Sequence, residues 1–426
     1  MTAVAPWLEG SHWPTVPIRL VARLGSGHTP SRSVPEYWDN CTVPWITLAD
    51  VWQLRSGTTD VITETKEKVS TLGLANSAAV KHPAGTVILS RTASVGFSAI
   101  MGADMATSQD FATWTCGPKL DPRFLLHCLR AMAPDLKRIS TGSTHKTIYM
   151  PDIEQLRVPV PSVADQRRIV EFLDAETGHV ERLISLQRGI ATRLEEREVA
   201  QLDIAIDEQS ARSGVVPLRR FLWGVDQGSS PQCDAIPAGE DEWGVLKVSC
   251  LRPGEFLAHE NKRLPTSEQP LRRSEVHEGD LLITRANTPQ LVGSTAVVPK
   301  VRSKLLLSDK IFRVRLRHDL EPEYVAAVAR GTRIRSLCSA TSNGASQSMA
   351  NIRFDEVKAW PIPIADLTEQ RNFIERVNRS REQVNALRST LTRQIDLLTE
   401  RRQALITAAV TGQIDVSTAS GRGIEE

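Results

Sequence analysis

The sequence predicts an α+β protein: two similar mixed α/β domains separated by two long helices that form an antiparallel coiled coil. Three observations predict it. The chain repeats itself after about 200 residues, each copy opens with short β-rich runs, and each closes on a helical stretch with sevenfold apolar spacing. Val16-Pro17-Ile18-Arg19-Leu20 returns as Val216-Pro217-Leu218-Arg219-Arg220, and Leu120-Asp121-Pro122 returns as Leu320-Glu321-Pro322. Gly85-Thr86-Val87-Ile88-Leu89-Ser90-Arg91 returns as Gly279-Asp280-Leu281-Leu282-Ile283-Thr284-Arg285. Val158-Pro159-Val160-Pro161, followed by Asp165-Gln166-Arg167, returns as Trp360-Pro361-Ile362-Pro363, followed by Glu369-Gln370-Arg371. So long a period does not suit a solenoid, and each unit is expected to be a domain plus a connector. Two similar units suit a protein that grips two similar things.

In chain order, residues 14 to about 157 carry strand-like runs such as Val43-Pro44-Trp45-Ile46-Thr47-Leu48 and Thr86-Val87-Ile88-Leu89-Ser90, broken by Gly, Pro, Ser and Thr. A helical pattern, Arg123-Phe124-Leu125-Leu126-His127-Cys128-Leu129-Arg130, interrupts them, and Tyr324-Val325-Ala326-Ala327-Val328-Ala329 is its second copy. After Pro161 the pattern turns helical, with Asp165 placed for an N-cap or first-turn acid; between Gln187 and Ser210 only Gly189 interrupts it. In the second helix Val384, Leu391, Leu398 and Leu405 recur every seven residues, with Leu387 on the adjoining row. The first helix aligns Val180, Gln187, Leu194 and Gln201, with Leu183, Ile190 and Ile204 beside them. Residues 165–200 hold eight acids and six arginines, and residues 366–402 hold six acids and eight arginines. Those opposite balances favour the two helices pairing with each other over self-association. The alternative is two amphipathic helices, each packed on its own domain.

At 426 residues the chain has room for two or three domains. It is 41% hydrophobic and 24% charged, with mean hydropathy −0.22. Its net charge of +2 announces no global nucleic-acid affinity, so an anionic partner would be met by local patches. Cys41, Cys116, Cys128, Cys233, Cys250 and Cys338 form no C-x-x-C pair and read as free buried thiols of a reducing compartment. Met1-Thr2-Ala3-Val4-Ala5-Pro6-Trp7 lacks the basic and apolar regions of a signal peptide, and no apolar run approaches the ~20 residues of a membrane span. A cytoplasmic protein is expected.

An active site is hard to find. Gly142-Ser143-Thr144-His145-Lys146-Thr147 ends like a phosphate-binding loop, but His145 stands where glycine is required. Glu64-Thr65-Lys66 and Glu356-Val357-Lys358 match half of a nuclease site, a tripeptide common by chance, and the nine histidines show no metal-ligand spacing. The pattern argues for binding. Donor-rich loops recur instead. Ser140 to Thr147 precede the first two-proline segment, and Thr341 to Ser348, with Asn343, Gly344, Ser346 and Gln347, precede the second. A second pair of loops, Arg91-Thr92-Ala93-Ser94 and Arg285-Ala286-Asn287-Thr288-Pro289-Gln290, leaves an apolar strand in each copy. Arginine to guanine and asparagine or glutamine to adenine are the bidentate major-groove pairings, which makes Arg91, Arg285, Asn287 and Gln290 candidate base readers. Gly142, Ser143, Thr144, His145, Lys146, Asn343, Gly344, Ser346 and Gln347, with Ser94, suit phosphate oxygens and base edges.

These features resemble the DNA-specificity subunit of type I restriction–modification systems. The resemblance is carried by Gly25-Ser26-Gly27-His28-Thr29-Pro30, Tyr37-Trp38 and Pro44-Trp45-Ile46, and above all by the two-proline segments followed by Asp165-Gln166-Arg167 and Glu369-Gln370-Arg371. Arg401 to Ile414 is also typical of that family. The second copy departs in its opening, where Gly228-Ser229-Ser230-Pro231 replaces Gly-x-Thr-Pro and Trp243-Gly244-Val245-Leu246 replaces Pro-Trp-Ile. The resemblance implies target recognition domains at residues 1–157 and 213–358, a spacer helix at 158–212, and a second helical region with a tail at 359–426. It implies a non-catalytic subunit that directs adenine methylation and restriction by its partners. Those partners would be double-stranded DNA with a bipartite target, two methyltransferase subunits, and translocase–endonuclease subunits. S-adenosylmethionine, ATP and magnesium would then belong to the partners, leaving this chain with no cofactor, no metal and no membrane. From the residues alone, two other readings stay open: a repeated protein-binding scaffold without DNA contact, or an enzyme with a site in the Arg91 and Arg285 loops.

Overall fold

The computed structural model describes residues 5–142, 146–341 and 350–416. Their contacts divide into two compact units, Met1–Arg188 with Thr392–Glu426, and Gly189–Leu391. The division runs through both long helices, so each unit contains one globular domain, the start of one helix and the end of the other.

The repeat is realised strand by strand. In the first unit a five-stranded sheet runs in the order Ala22–Ser26, Phe111–Cys116, Val87–Ser90, Ser98–Met101 and Val61–Ile62. In the second unit Leu222–Gln227, Ile311–Leu316, Leu281–Thr284 and Thr295–Val297 form the corresponding four strands in the same order. Each unit adds a three-stranded sheet. Val43–Ile46 pairs antiparallel with Glu67–Val69 and parallel with Ala106–Thr107, and Gly244–Leu246 does the same with Asn261–Arg263 and Leu305–Leu306. The divergent opening of the second copy therefore keeps the strand that its sequence obscures. Val87–Ser90 and Leu281–Thr284 are buried at every position, which accounts for their unbroken apolar reading.

The helix Pro122–Ala131 packs on Val87–Ser90 and Ser98–Met101, burying Phe124 through Leu129. Asp121 caps it by accepting hydrogen bonds from the Arg123 and Phe124 amides. Pro322–Val328 repeats this packing in the second unit. Burial is not all apolar. Arg313, in a central strand, bonds Asp226, Asp280 and the carbonyls of Arg273 and Glu275, so its charge is compensated inside the domain.

The two-proline segments are short strands. Thr15–Pro17 pairs antiparallel with Arg157–Pro159, and Val215–Pro217 with Pro361–Pro363. Val16 faces Val158 and Val216 faces Ile362, so Val158 corresponds to Ile362 rather than to Trp360. The sequence alignment was thus displaced by two residues. An alternating proline pattern cannot reveal such a slip, because a shift of two returns every side chain to the same face.

Both long helices are continuous. Val163–Ser213 passes through Gly189 without a break, and Leu367–Val410 forms the second. The Ser162 hydroxyl accepts the Asp165 amide proton and donates to the Asp165 carboxylate, which makes Asp165 a first-turn acid rather than the cap itself. Within each unit the two helices run antiparallel. In the first, Glu181 pairs with Arg402, and Gln187 donates to Gln394 at 3.2 Å. In the second, Glu195 pairs with Arg388, Ser380 donates to Gln201 at 2.9 Å, and Glu208 pairs with Arg376 at 3.3 Å. In each of these three ion pairs the acid lies on the first helix and the arginine on the second, as the opposite charge balances predict. Val180 and Val384 are buried on the expected row, whereas Leu183, Ile190, Ile204 and Leu387 on the adjoining row are exposed. The expected second row faces outward, while Ile184 and Ala205, on the row at the other side of Val180 and Gln201, are buried.

A buried glutamine joins each domain to the helix that follows it. The Gln166 amide nitrogen donates to the carbonyls of Lys119 (2.9 Å) and Pro161 (3.0 Å), and its oxygen accepts the Asp121 amide proton at 2.8 Å. Gln370 does the same with Asp319, Ala365 and Glu321. The end of the second helix also packs on the first domain. Ile406, Ala409 and Val410 share a core with Trp7 and Leu8, and the His12 amide donates to the Thr411 carbonyl.

Cys128, Cys250 and Cys338 are buried, while Cys41, Cys116 and Cys233 are half-buried. Burial pushes the Cys116 and Cys250 thiols up to about 12, which keeps them protonated and unreactive. Among the described residues no helix is long and apolar enough to cross a membrane.

Candidate nucleic-acid interface

In the first unit four loops meet at one end of the sheets, and backbone hydrogen bonds connect them in series. The Gly25–Pro30 loop lies on the Thr107–Asp110 turn, with the His28 amide donating to the Thr107 carbonyl at 3.0 Å. A side chain at Gly27 would place its Cβ 1.9 Å from that carbonyl oxygen, so only glycine permits the approach. The Arg91 amide donates to Asp110, the Ile148 amide donates to Arg91, and the Ala93 amide donates to Lys146, each at 2.8 Å. Thr147 bridges both Thr92 and Thr141. The two donor loops that the sequence presents 50 residues apart are thus one paired structure.

The second unit repeats the arrangement. Gly228 lies on Leu307, where a Cβ would come 1.6 Å from the carbonyl oxygen, and its amide donates to Ser308. The Arg285 amide donates to Lys310, and the Ile352 amide donates to Arg285. Ala286–Asn287 pairs with Ala350–Asn351, which ties the Arg285 loop to the end of the following one.

The candidate residues fare differently within this frame. Arg91 is half-buried, its Nη1 3.4 Å from the Ile148 carbonyl and its buried Nε without a partner, so it braces the junction of two loops. Arg285 is exposed, its Nη1 lying 3.4 Å from the Asp309 carbonyl. Asn287 accepts the Thr288 amide proton on its Oδ1. Gln290 is exposed, but its carbonyl accepts from Arg335 at 2.6 Å, beside a cleft of about 810 Å³ that Glu195, Glu198 and Arg381 also line. It ends the Arg285 loop and lines that cleft together with residues of both long helices. Ser94 is half-buried in the Arg91 loop, and Gly142 and Lys146 are exposed. Ser143, Thr144, His145, Asn343, Gly344, Ser346 and Gln347 lie outside the described residues.

Sequence reasoning missed the turns Ser108-Gln109-Asp110-Phe111 and Ser308-Asp309-Lys310-Ile311, which complete both clusters. It missed the exposed residues next to Ile148 and Ile352, Tyr149 and Arg353, as well. Their recurrence in register was the available signal. The half-nuclease tripeptide 356–358 is used locally: Glu356 caps the Arg353 amide and Lys358 pairs with Asp355. Among the described residues no group of three His, Cys, Asp or Glu could hold a metal ion.

The fold and loops define a class of chain: a duplicated α/β domain with a donor-rich loop cluster, each copy tied by a buried glutamine to one helix of a long pair. Residues 10–196 match the family described as the type I restriction modification DNA specificity domain. The chain is 34% identical over 173 residues to the EcoEI specificity subunit of Escherichia coli, covering 40% of this chain and 29% of that one. It is 24% identical over 299 residues to the EcoKI specificity subunit of Escherichia coli strain K12, covering 66% and 62%. The chain therefore matches less than two thirds of the length of either relative. A solved chain from work on complex assembly and conformational transition of the type I R-M system shares the fold. Its TM-score is 0.66 at 17% identity, covering 94% of this chain and 98% of that one.

Proposed function

We propose that this chain is the non-catalytic, sequence-reading subunit of a type I restriction–modification complex. Each loop cluster reads one half of a bipartite DNA site, and the paired helices dock two methyltransferase subunits. Adenine methylation and restriction, with S-adenosylmethionine, ATP and magnesium, belong to those partners and to the translocase–endonuclease. The observation that carries the reading is the backbone bonding that recurs in both copies among the described residues, from the opening loop to the 107–110 or 307–310 turn, and from that turn through Arg91 or Arg285 to Ile148 or Ile352. Phosphate contacts through exposed cations such as Lys146 release counterions, so affinity should fall log-linearly with salt, with a slope of about −0.9 per neutralised phosphate. The test is salt-titrated binding of duplex DNA by the full chain with its methyltransferase subunit. A steep negative slope and a preference for one bipartite sequence are expected; a protein-binding scaffold would give neither.

A further inference from the structure

We infer that Gln109 and Asp309, the corner residues of the two missed turns, are equivalent specificity positions. Gln109 selects adenine in one half-site and Asp309 selects cytosine in the other, each held in place by a hydroxyl of the opening loop. The inference rests on the DNA-reading function proposed above and assigns that function to two particular side chains.

Both turns have the same frame. The Phe111 amide donates to the Ser108 carbonyl and the Ile311 amide to the Ser308 carbonyl, each at 3.3 Å, so residues 109–110 and 309–310 form the corners. In the first unit the Thr29 hydroxyl donates to Gln109 Oε1 at 2.6 Å. In the second, the Ser230 hydroxyl donates to Asp309 Oδ1. Thr29 and Ser230 each follow by two residues the glycine that lets its loop lie on the turn. The opening signature thus acquires a physical purpose: glycine brings the loop down, and the hydroxyl two residues later aims the corner side chain. The turns are fixed to the rest of the cluster through Arg91 and Arg285, whose amides bond residues 110 and 310. Gln227 and Arg285 further hold the Asp309 carbonyl.

Chemistry separates the two corners. A carboxamide whose oxygen already accepts the Thr29 proton keeps a second lone pair and two N–H donors. That is the donor–acceptor pair that matches N6 and N7 of adenine. A carboxylate offers acceptors only, which suits the N4 amino group of cytosine. Thr29 and Ser230 are positioning residues, since a fixed amide or carboxylate plane loses less freedom on binding than a free one.

The experiment maps methylated adenines in cells carrying the full chain and its own methyltransferase subunit. Gln109→Ala should relax one base pair of a single half-site, lowering discrimination there roughly ten- to a hundredfold, with the other half unchanged. Thr29→Val should weaken discrimination at that same base pair. Gln109→Glu should move the preference there from adenine towards cytosine, and Asp309→Asn should do the reverse in the other half-site. Gln109 is exposed and Asp309 half-buried, and the two shifts of preference are gains that a misfolded chain could not produce. The inference is overturned if Gln109→Ala leaves the motif intact or lowers methylation at all sites alike, or if Gln109→Glu and Asp309→Asn shift no preference. A wild-type chain that directs no bipartite methylation would instead refute the DNA-reading function itself.

Discussion

Gln166 and Gln370 show how a motif legible as a pattern conceals its mechanism. The Asp-Gln-Arg and Glu-Gln-Arg triplets stand out in the sequence, yet the partners of each glutamine are main-chain groups up to 51 residues away. Each buried amide satisfies two carbonyls and one N–H where a domain meets its helix. Replacing it with alanine leaves those groups unpaired at a cost of about 1–3 kcal/mol per buried group. Gln166→Ala and Gln370→Ala should each lower the midpoint of chemical denaturation, and unchanged midpoints would contradict the account. Among the loop residues, burial now divides the candidates that residue type alone had grouped together. Exposed Arg285 is expected to discriminate, and Arg285→Ala should cost about 1–3 kcal/mol on the cognate duplex while sparing a scrambled one. Lys146→Ala should weaken both duplexes alike, as a phosphate contact does. Titrating the two variants against the two duplexes checks both expectations. Half-buried Arg91 braces its own loops, a role no residue type announces.

At the scale of elements, the long helices were the most legible part of the chain, because sevenfold spacing and opposite charge balances are properties of sequence alone. The seam glutamines, which break that pattern, find polar partners on the facing helix: Gln187 meets Gln394 and Gln201 meets Ser380. The exposed second row, Leu183, Ile190, Ile204 and Leu387, was legible as apolar but not as outward-facing, since spacing fixes a row and not what covers it. The antiparallel register has a direct test in the half-buried Glu181–Arg402 pair. Charge reversal by Glu181→Arg should destabilise the chain, and adding Arg402→Glu should restore part of the loss. A coupling of about 0.5–1 kcal/mol in a double-mutant cycle is expected. Strictly additive single effects would mean that the two side chains do not meet. The strand repeat was visible at Val87–Ser90 and Leu281–Thr284, where both faces are buried. It was hidden at Gly244–Leu246, whose residues change while its two pairings persist.

For the whole molecule, the sequence showed a duplication but not how contacts divide it. Residues 1–157 read as a self-contained domain, yet their unit includes the end of a helix nearly 400 residues away, joined where His12 bonds Thr411. Local patterns cannot announce a closure of that span. Its functional consequence is modularity: each unit carries its own loop cluster, so each should read DNA independently of the other. Exchanging residues 14–157 for those of a type I specificity subunit and mapping methylated adenines in the host genome tests this claim most directly. The account predicts that one half of the bipartite motif changes and the other half is retained. A motif altered in both halves, or in neither, would contradict it.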